Sequence, residues 1–235
     1  MVKRHLLRIS APRTWAIKRK GINWIIRPNS GAQKLANCMP LGLVLKEILK
    51  HAKTTNEAKK ILQDKNVLVN KKAAKDIKSQ VGFMDVLEIP KLKEQYRMIF
   101  STKGKLILLP IDPTEADIKI CKIKNKKIIK NKKIQLNLDD GTNLLVQKDE
   151  YKLGDSLVLT LPDKKIKTVL KLEKGATVYL IGGKKIGTVG KVEEIKQGTN
   201  IQKGMITIKS KQSTFETRKA YAFVIGKDKP VIELE

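Results

Sequence analysis

The sequence predicts an α+β chain built from several small modules, and three observations carry that prediction. Aromatic residues make up only 4% of the 235 positions, too few for one large aromatic-rich core. Helical periodicity is confined to a stretch beginning at Pro40 and ending near Asn66. After Pro90 the pattern turns to short alternating runs punctuated by Gly and Pro, the signature of a small barrel or curled sheet.

Residues 1–39 read as a cationic arm. From Met1 to Asn37 there is no Asp or Glu, whereas Lys3, Arg4, Arg8, Arg13, Lys18, Arg19, Lys20, Arg27 and Lys34 are basic. Pro12, Pro28, Gly21 and Gly31 interrupt any regular element. A basic run is ordinarily a solvated tail. Trp15 and Trp24, the two tryptophans of the chain, lie inside this one, and a free tail gains nothing from them. The arm is therefore expected to be ordered by contact, with Arg and Lys on phosphates. Each tryptophan either stacks on a base or packs on the protein body, and packing is the preferred reading for both.

Residues 40–92 read as a helix–helix–strand module. Leu41, Val44, Leu45, Ile48, Leu49 and Ala52 recur at helical spacing, with Lys46 and Lys50 on the other side. Thr54 and Glu57 have capping-box spacing, which starts a second helix whose apolar face is Ala58, Ile61 and Leu62. Lys59 and Lys60 point away from that face. Asn66 breaks the helix. Val67-Leu68-Val69 is a strand, Asn70-Lys71-Lys72 a basic turn, and Val86–Ile89 a strand closed by Pro90, which cannot donate to a ladder. His51 is read as a polar end to the first helix.

Residues 93–172 read as a β-rich middle. Strands are expected at Tyr96–Phe100 and Lys105–Pro110 around a Lys103-Gly104 turn, with one short helical turn in Asp112–Asp117. Ile118–Ile123 is read as an alternating strand with lysines on one face and Ile/Cys on the other. Lys124–Lys133 is a basic turn region. Ile134–Leu138 and Leu144–Val146 flank the turn Asp139-Asp140-Gly141, and Leu157–Leu161 follows. Residues 173–235 read as a third module. Val178–Ile181 and Val192 flank Gly182-Gly183, Lys184-Lys185-Ile186-Gly187 and Val189-Gly190. Its glycines suit a sharply bent hairpin that needs positive φ and close backbone approach. Further strands are expected at Ile206–Lys209, Phe215–Arg218 and Tyr221–Gly226.

Composition narrows the function. Fifty Lys and Arg against 23 Asp and Glu give a formal net charge of +27. Such a surface repels itself when free and gains when phosphates displace counterions. A polyanion is thus the expected ligand. A membrane is not expected, because no long amphipathic helix or spanning apolar run is present. Cys38 and Cys121 form neither a disulfide framework nor a zinc site and read as reduced thiols of a cytosolic protein. The N-terminus lacks the apolar core of a signal peptide. His5 and His51 are the two histidines, and neither has a metal-like or triad-like neighbour. Asp139 and Asp140 read as turn residues. No phosphate loop or dinucleotide fingerprint is found. The expectation is no enzyme, no metal, no cofactor and no small-molecule substrate.

The order of elements from Pro40 to Pro90 resembles the S4-type RNA-binding domain. The wording Pro40-Leu41, Glu57-Ala58-Lys59-Lys60, Val67-Leu68-Val69 and Val81-Gly82-Phe83-Met84-Asp85-Val86 resembles the ribosomal protein S4e family. The resemblance extends to Ala11-Pro12-Arg13-Thr14-Trp15 and Trp24-Ile25-Ile26-Arg27-Pro28 in the arm. It also takes in Ile134–Gly141, Tyr151–Asp155 and Leu161-Pro162 in the middle, and Pro230–Leu234 at the end. The glycine-punctuated hairpin resembles a KOW motif of SH3-like barrels. The chain departs from the family pattern where Asn70-Lys71 replaces an Asp-Gly pair. Ala36, Asn56 and Ala74 stand where arginines are expected, so Lys34, Lys53 and Lys75 would supply the charge. The acidic ending, without a further C-terminal segment, implies an archaeal-type member.

The resemblance implies a structural component of the small ribosomal subunit, cytoplasmic and in the ribosome, with small-subunit ribosomal RNA and neighbouring ribosomal proteins as partners. It implies an arm that penetrates between RNA helices, an S4-type domain, a central β-rich domain and a C-terminal KOW barrel. Phosphate contacts should dominate, with RNA shape choosing the site. The candidate contacts are Arg4, Arg8, Arg13, Arg19, Lys20 and Arg27 in the arm. In the S4-type module they are Lys50, Lys53, Lys59, Lys60, Lys71, Lys72 and Lys75, and in the third module Lys184, Lys185 and Lys191. The competing reading is a free RNA-binding factor, an RNA chaperone or an RNA-modifying enzyme with an S4-type domain. An enzyme of that kind needs a positioned catalytic Asp, and no such segment follows Pro90.

Overall fold

A computed structural model describes residues 5–31, 33–129, 133–198, 204–210 and 213–234. The chain divides into two compact units, residues 1–101 with 105–117, and residues 102–104 with 118–235.

The first unit opens with a two-stranded ribbon, β1 (Leu6–Leu7) against β2 (Trp24–Ile25). The ribbon is regular structure in an arm where Pro12 and Gly21 predict none, because it pairs segments that lie on either side of those breakers. β3 (Cys38–Pro40) then leads into α1 (Leu41–Leu43). The helix expected to reach Ala52 is shorter. After α1 the chain widens into a π-helical turn, Val44–Ile48, and ends at Leu49 with Lys50 in the left-handed region at φ 60°. Of the expected stripe Leu41, Val44, Leu45 and Ala52 are buried while Ile48 and Leu49 are half-buried, and Leu43, outside the stripe, is buried as well. His51 closes the helix through the backbone, its N donating to the Leu45 carbonyl at 3.0 Å, and not through the imidazole. Its Nε2 lies 3.0 Å from Glu94 Oε2.

α2 (Thr55–Gln63) begins as the sequence predicted. Thr54 Oγ1 accepts from Glu57 N, and Glu57 Oε2 accepts from Thr54 N, so both orphan donors are satisfied. Ala58 and Leu62 are buried on its inner face. β4 (Leu68–Val69) and β5 (Lys72–Ala73) then form a hairpin with a two-residue loop, Asn70-Lys71, at φ 50° and 64°. Positive φ at both loop positions is the geometry that matches strand twist, and glycine usually takes the second position. Lys71 takes it here.

β6 (Gln80–Gly82) pairs with β3, and β7 (Val86–Ile89) pairs with β4. The turn between β6 and β7 is held by Asp85, whose carboxylate accepts from Gly82 N at 2.6 Å and from Asn70 Nδ2 at 2.8 Å. β8 (Glu94–Phe100) and β9 (Leu106–Pro110) form the expected hairpin, but it belongs to this unit. β8 pairs with β7, which makes one sheet in the order β5-β4-β7-β8-β9. The boundary expected at residue 92 therefore falls inside a sheet. Pro90–Leu92 is only a tight turn, with Lys93 in the left-handed region that reverses the chain. Residues 112–117 form turns without a helix.

The second unit holds two five-stranded antiparallel sheets. The first contains β10 (Ile118–Ile128), β11 (Ile134–Leu138), β12 (Asn143–Val146), β13 (Ser156–Thr160) and β14 (Lys165–Leu170), in the order β12-β11-β10-β13-β14. Cys121, Ile123, Leu136, Leu138, Leu157 and Leu159 form its core. The second contains β15 (Thr177–Leu180), β16 (Val189–Lys196), β17 (Met205–Lys209), β18 (Thr214–Arg218) and β19 (Ala222–Gly226), in the order β18-β17-β16-β15-β19. Its glycines divide by role. Gly183 and Gly187 take positive φ in the β15–β16 turn. Gly190 is there for closeness, since a Cβ would sit 2.8 Å from the Lys209 carbonyl oxygen.

Candidate nucleic-acid interface

The arm is held by the protein itself. Trp15 is fully buried, and its indole Nε1 donates to the Cys38 carbonyl at 2.8 Å. Leu106 N donates to the Thr14 carbonyl at 2.7 Å, which straps the arm to β9. Arg8 is buried, pairs through both terminal nitrogens with the Glu47 carboxylate, and donates to the Lys18 carbonyl at 2.7 Å. Arg19 donates to the carbonyls of Ile9, Ala11 and Pro12 at 3.1, 2.9 and 2.8 Å. Two of the arginines proposed for phosphate thus order the arm. Their burial and partners depend on non-local packing, so a count of charges could not sort them. Arg13 and Lys20 are exposed, Arg27 is half-buried with Nη1 3.4 Å from the His5 carbonyl, and Arg4 lies outside the described residues.

The tryptophans part company. Trp15 packs as expected, whereas Trp24 is 58% exposed. Around α2 the lysines stand as the sequence proposed. Lys50 and Lys53 precede the helix, Lys59 and Lys60 lie on it, and Lys72 and Lys75 lie on and after β5. All six are exposed. Lys71 does not join them. Its Nζ is 3.1 Å from Glu88 Oε2 and 2.9 Å from Asp117 Oδ1, and the Asp117 bond in particular raises its pKa against the opposing effect of burial. The side chain that strains the hairpin loop is thereby tied down. In the third module Lys184, Lys185 and Lys191 are exposed, and the Lys185 ammonium lies 5.9 Å from the centre of the Phe215 ring.

The second unit contains a charged cluster that alternation in the sequence does not predict. The run Ile118–Ile123 does not place its lysines on one face. Lys119 and Lys122 are three positions apart, so period two sends them to opposite faces, and both are buried. Lys119 Nζ pairs with Asp140 Oδ2 at 2.9 Å. Lys122 Nζ donates to the carbonyls of Ala220, at 2.9 Å, and Ala222, which joins the two sheets of this unit. Burial lowers the Lys122 ammonium to about 8. Asp140 is also penalised by burial, but Lys119 and the bonds from Thr142 outweigh it and bring the carboxyl to about 2. Asp139 moves the other way, raised by its burial. The pair looked like ordinary turn residues, and they are a turn, but one built into a buried ion pair. A signal was available in the odd spacing of the two lysines.

Cys38 and Cys121 are both buried and outside any disulfide, and burial raises Cys38 to about 11. Among the described residues no group of three or more His, Cys, Asp or Glu side chains could hold a metal ion, and no helix is long and apolar enough to cross a membrane.

The fold and the charge distribution define a class: a modular S4-domain protein with a cationic surface. The S4 domain is matched at residues 43–87, the RS4NT domain at residues 2–35, and ribosomal family S4e at residues 92–166. The chain belongs to the ribosomal S4e family. It is 42% identical to small ribosomal subunit protein eS4 of Methanocella arvoryzae, over 99% of this chain and 98% of that protein. It is 39% identical to the protein of the same name from Methanocaldococcus jannaschii, again over 99% of this chain and 98% of the relative. The crystal structure of 30S ribosomal protein S4e from Thermoplasma acidophilum is similar with a TM-score of 0.69 and 30% identity, covering 81% of this chain and 96% of that one.

Proposed function

We infer that the chain is a structural constituent of the small ribosomal subunit that holds ribosomal RNA and performs no bond-making. The observation that carries this is its full-length likeness to small ribosomal subunit protein eS4, at 42% identity. Physical support comes from the net charge of +27 and from Lys50, Lys53, Lys59, Lys60, Lys72 and Lys75, all exposed around one S4 domain. These lysines contact phosphates and so fix position without reading sequence. Arg13, Lys20 and Arg27 extend the contact along the arm, and Lys184, Lys185 and Lys191 extend it on the C-terminal sheet. That sheet acts as the KOW barrel of the chain. Neighbouring ribosomal proteins complete its surroundings, in the ribosome of the cytoplasm.

Sedimentation of a cell lysate tests the reading. The protein is expected to co-migrate with small subunits at low salt. A stable pool at the top of the gradient would favour a free RNA-binding factor instead. Binding of isolated small-subunit RNA should weaken steeply as salt rises, and a flat response would remove phosphates as the main partner.

A further inference from the structure

The outward face of the β1–β2 ribbon is not what a solvated ribbon needs. Register sets Leu6 opposite Ile25 and Leu7 opposite Trp24. The first pair faces inward, at 8% and 9% exposure. The second faces outward, at 43% and 58% exposure. Alternation calls for polar side chains on such a face, and a local rule broken in this way marks a site of function more often than an accident. The ribbon has anchors other than Trp24. Arg8 N donates to the Asn23 carbonyl at 2.8 Å, and Trp15 already fills the core beside the arm. The His5 ring stands 5.5 Å from Trp24 at an interplanar angle of 59°, so it steadies the indole without lying flat on it. Ile9 and Ile22, next to the two strands in sequence, are exposed as well.

We infer that Trp24, with Leu7 beside it, is a seat for an unpaired nucleobase of the bound RNA; the inference rests on the RNA-binding reading above. The surrounding charge selects the occupant. Positions 1–37 hold no carboxylate side chain. Arg27 Nη1 donates to the His5 carbonyl at 3.4 Å, which brings a guanidinium to the same ribbon, and Lys18 and Lys20 are exposed in the loop between its strands. A single-stranded segment supplies both things this face can use, a flat aromatic surface for the indole and phosphates for the cations. Bases inside a duplex are stacked on each other and offer no free face, so the occupant is a loop, bulge or strand end.

The experiment uses the full chain and transcribed small-subunit ribosomal RNA. Trp24 emission is obtained as the difference between the unaltered chain and Trp24→Phe, which leaves buried Trp15 in place. RNA is expected to quench that difference signal. Trp24→Ala should weaken binding about tenfold, within the range of one lost base–aromatic stack, and Trp24→Phe should weaken it less. The salt slope should be the same for all three, because no phosphate contact is removed. If the unaltered chain binds RNA tightly while Trp24 emission stays unchanged and Trp24→Ala binds equally well, the face is no base seat and the inference is overturned. If the unaltered chain fails to bind RNA even at low salt, the underlying reading falls with it. The quenching test on the unaltered chain stands even if Trp24→Ala does not fold.

Discussion

Lys59 and Lys60 on α2 stand in solvent, with no carboxylate paired to either among the described residues, while Lys119 and Lys122 on β10 are at most 7% exposed. The same residue type does opposite work in the two units. Exposed ammonium groups near an S4 domain are free for a phosphate and add little to stability. Buried ones have been taken out of water and must be repaid by fixed partners, Asp140 for Lys119 and backbone carbonyls for Lys122. A net charge of +27 therefore overstates what faces a ligand, and the sorting is done by packing.

The largest break in this contrast should come from Lys119→Met. It leaves the Asp140 carboxylate buried and short of its counter-ion, which should cost about 3 kcal/mol in a denaturant titration. Lys122→Met should cost about 2 kcal/mol by taking a donor from the Ala220 and Ala222 carbonyls. It should also change the alkaline behaviour. With a native value near 8 and an unfolded one near 10.5, the unfolded chain binds more protons in that window, so Lys122 makes stability rise as pH climbs through it. The Met variant should lack that rise.

Acid gives a matching effect. Asp140 has its native value depressed to about 2 from 3.8, so its contribution is complete above pH 4. About 2 kcal/mol of it should be lost as pH falls from 4 to 2. Asp139, raised by burial, opposes this by protonating first in the native state, so Asp139→Asn should make the acid loss steeper. The smallest stability effect belongs to the exposed side. Lys59→Gln with Lys60→Gln should shift unfolding by less than about 0.5 kcal/mol. The same double variant should lower RNA affinity several-fold and flatten the salt slope by about one to two units. Equal stability losses in the α2 and β10 variants would erase the contrast.

What could be read from the chain was local. Thr54 and Glu57 announced the start of α2, the strand positions followed the alternation, and Asn70-Lys71 marked a turn. What could not be read was pairing at long range. Nothing near Glu94–Pro110 says that its hairpin continues the sheet of β7, and nothing near Leu6 says that it meets Ile25. The first helix looked regular to Ala52 because apolar spacing does not distinguish an α-turn from the π-turn at Val44–Ile48. Two of the arm's five arginines, Arg8 and Arg19, turn inward to the protein's own acceptors, which charge alone does not announce. Glu47, the partner of Arg8, lies 39 residues away.

The hairpin loop at Lys71 has a consequence for how this surface can vary. A glycine there would relax the backbone, but it would strand Glu88, whose side chain is only 7% exposed and whose ammonium partner would be gone. The cost is one-sided, because without Glu88 the Lys71 ammonium keeps Asp117 at 2.9 Å, whereas without Lys71 the buried Glu88 carboxylate loses its ammonium. Positions 71 and 88 are therefore coupled, with the change at 88 the easier first step, and a double-mutant cycle should return a coupling outside its error.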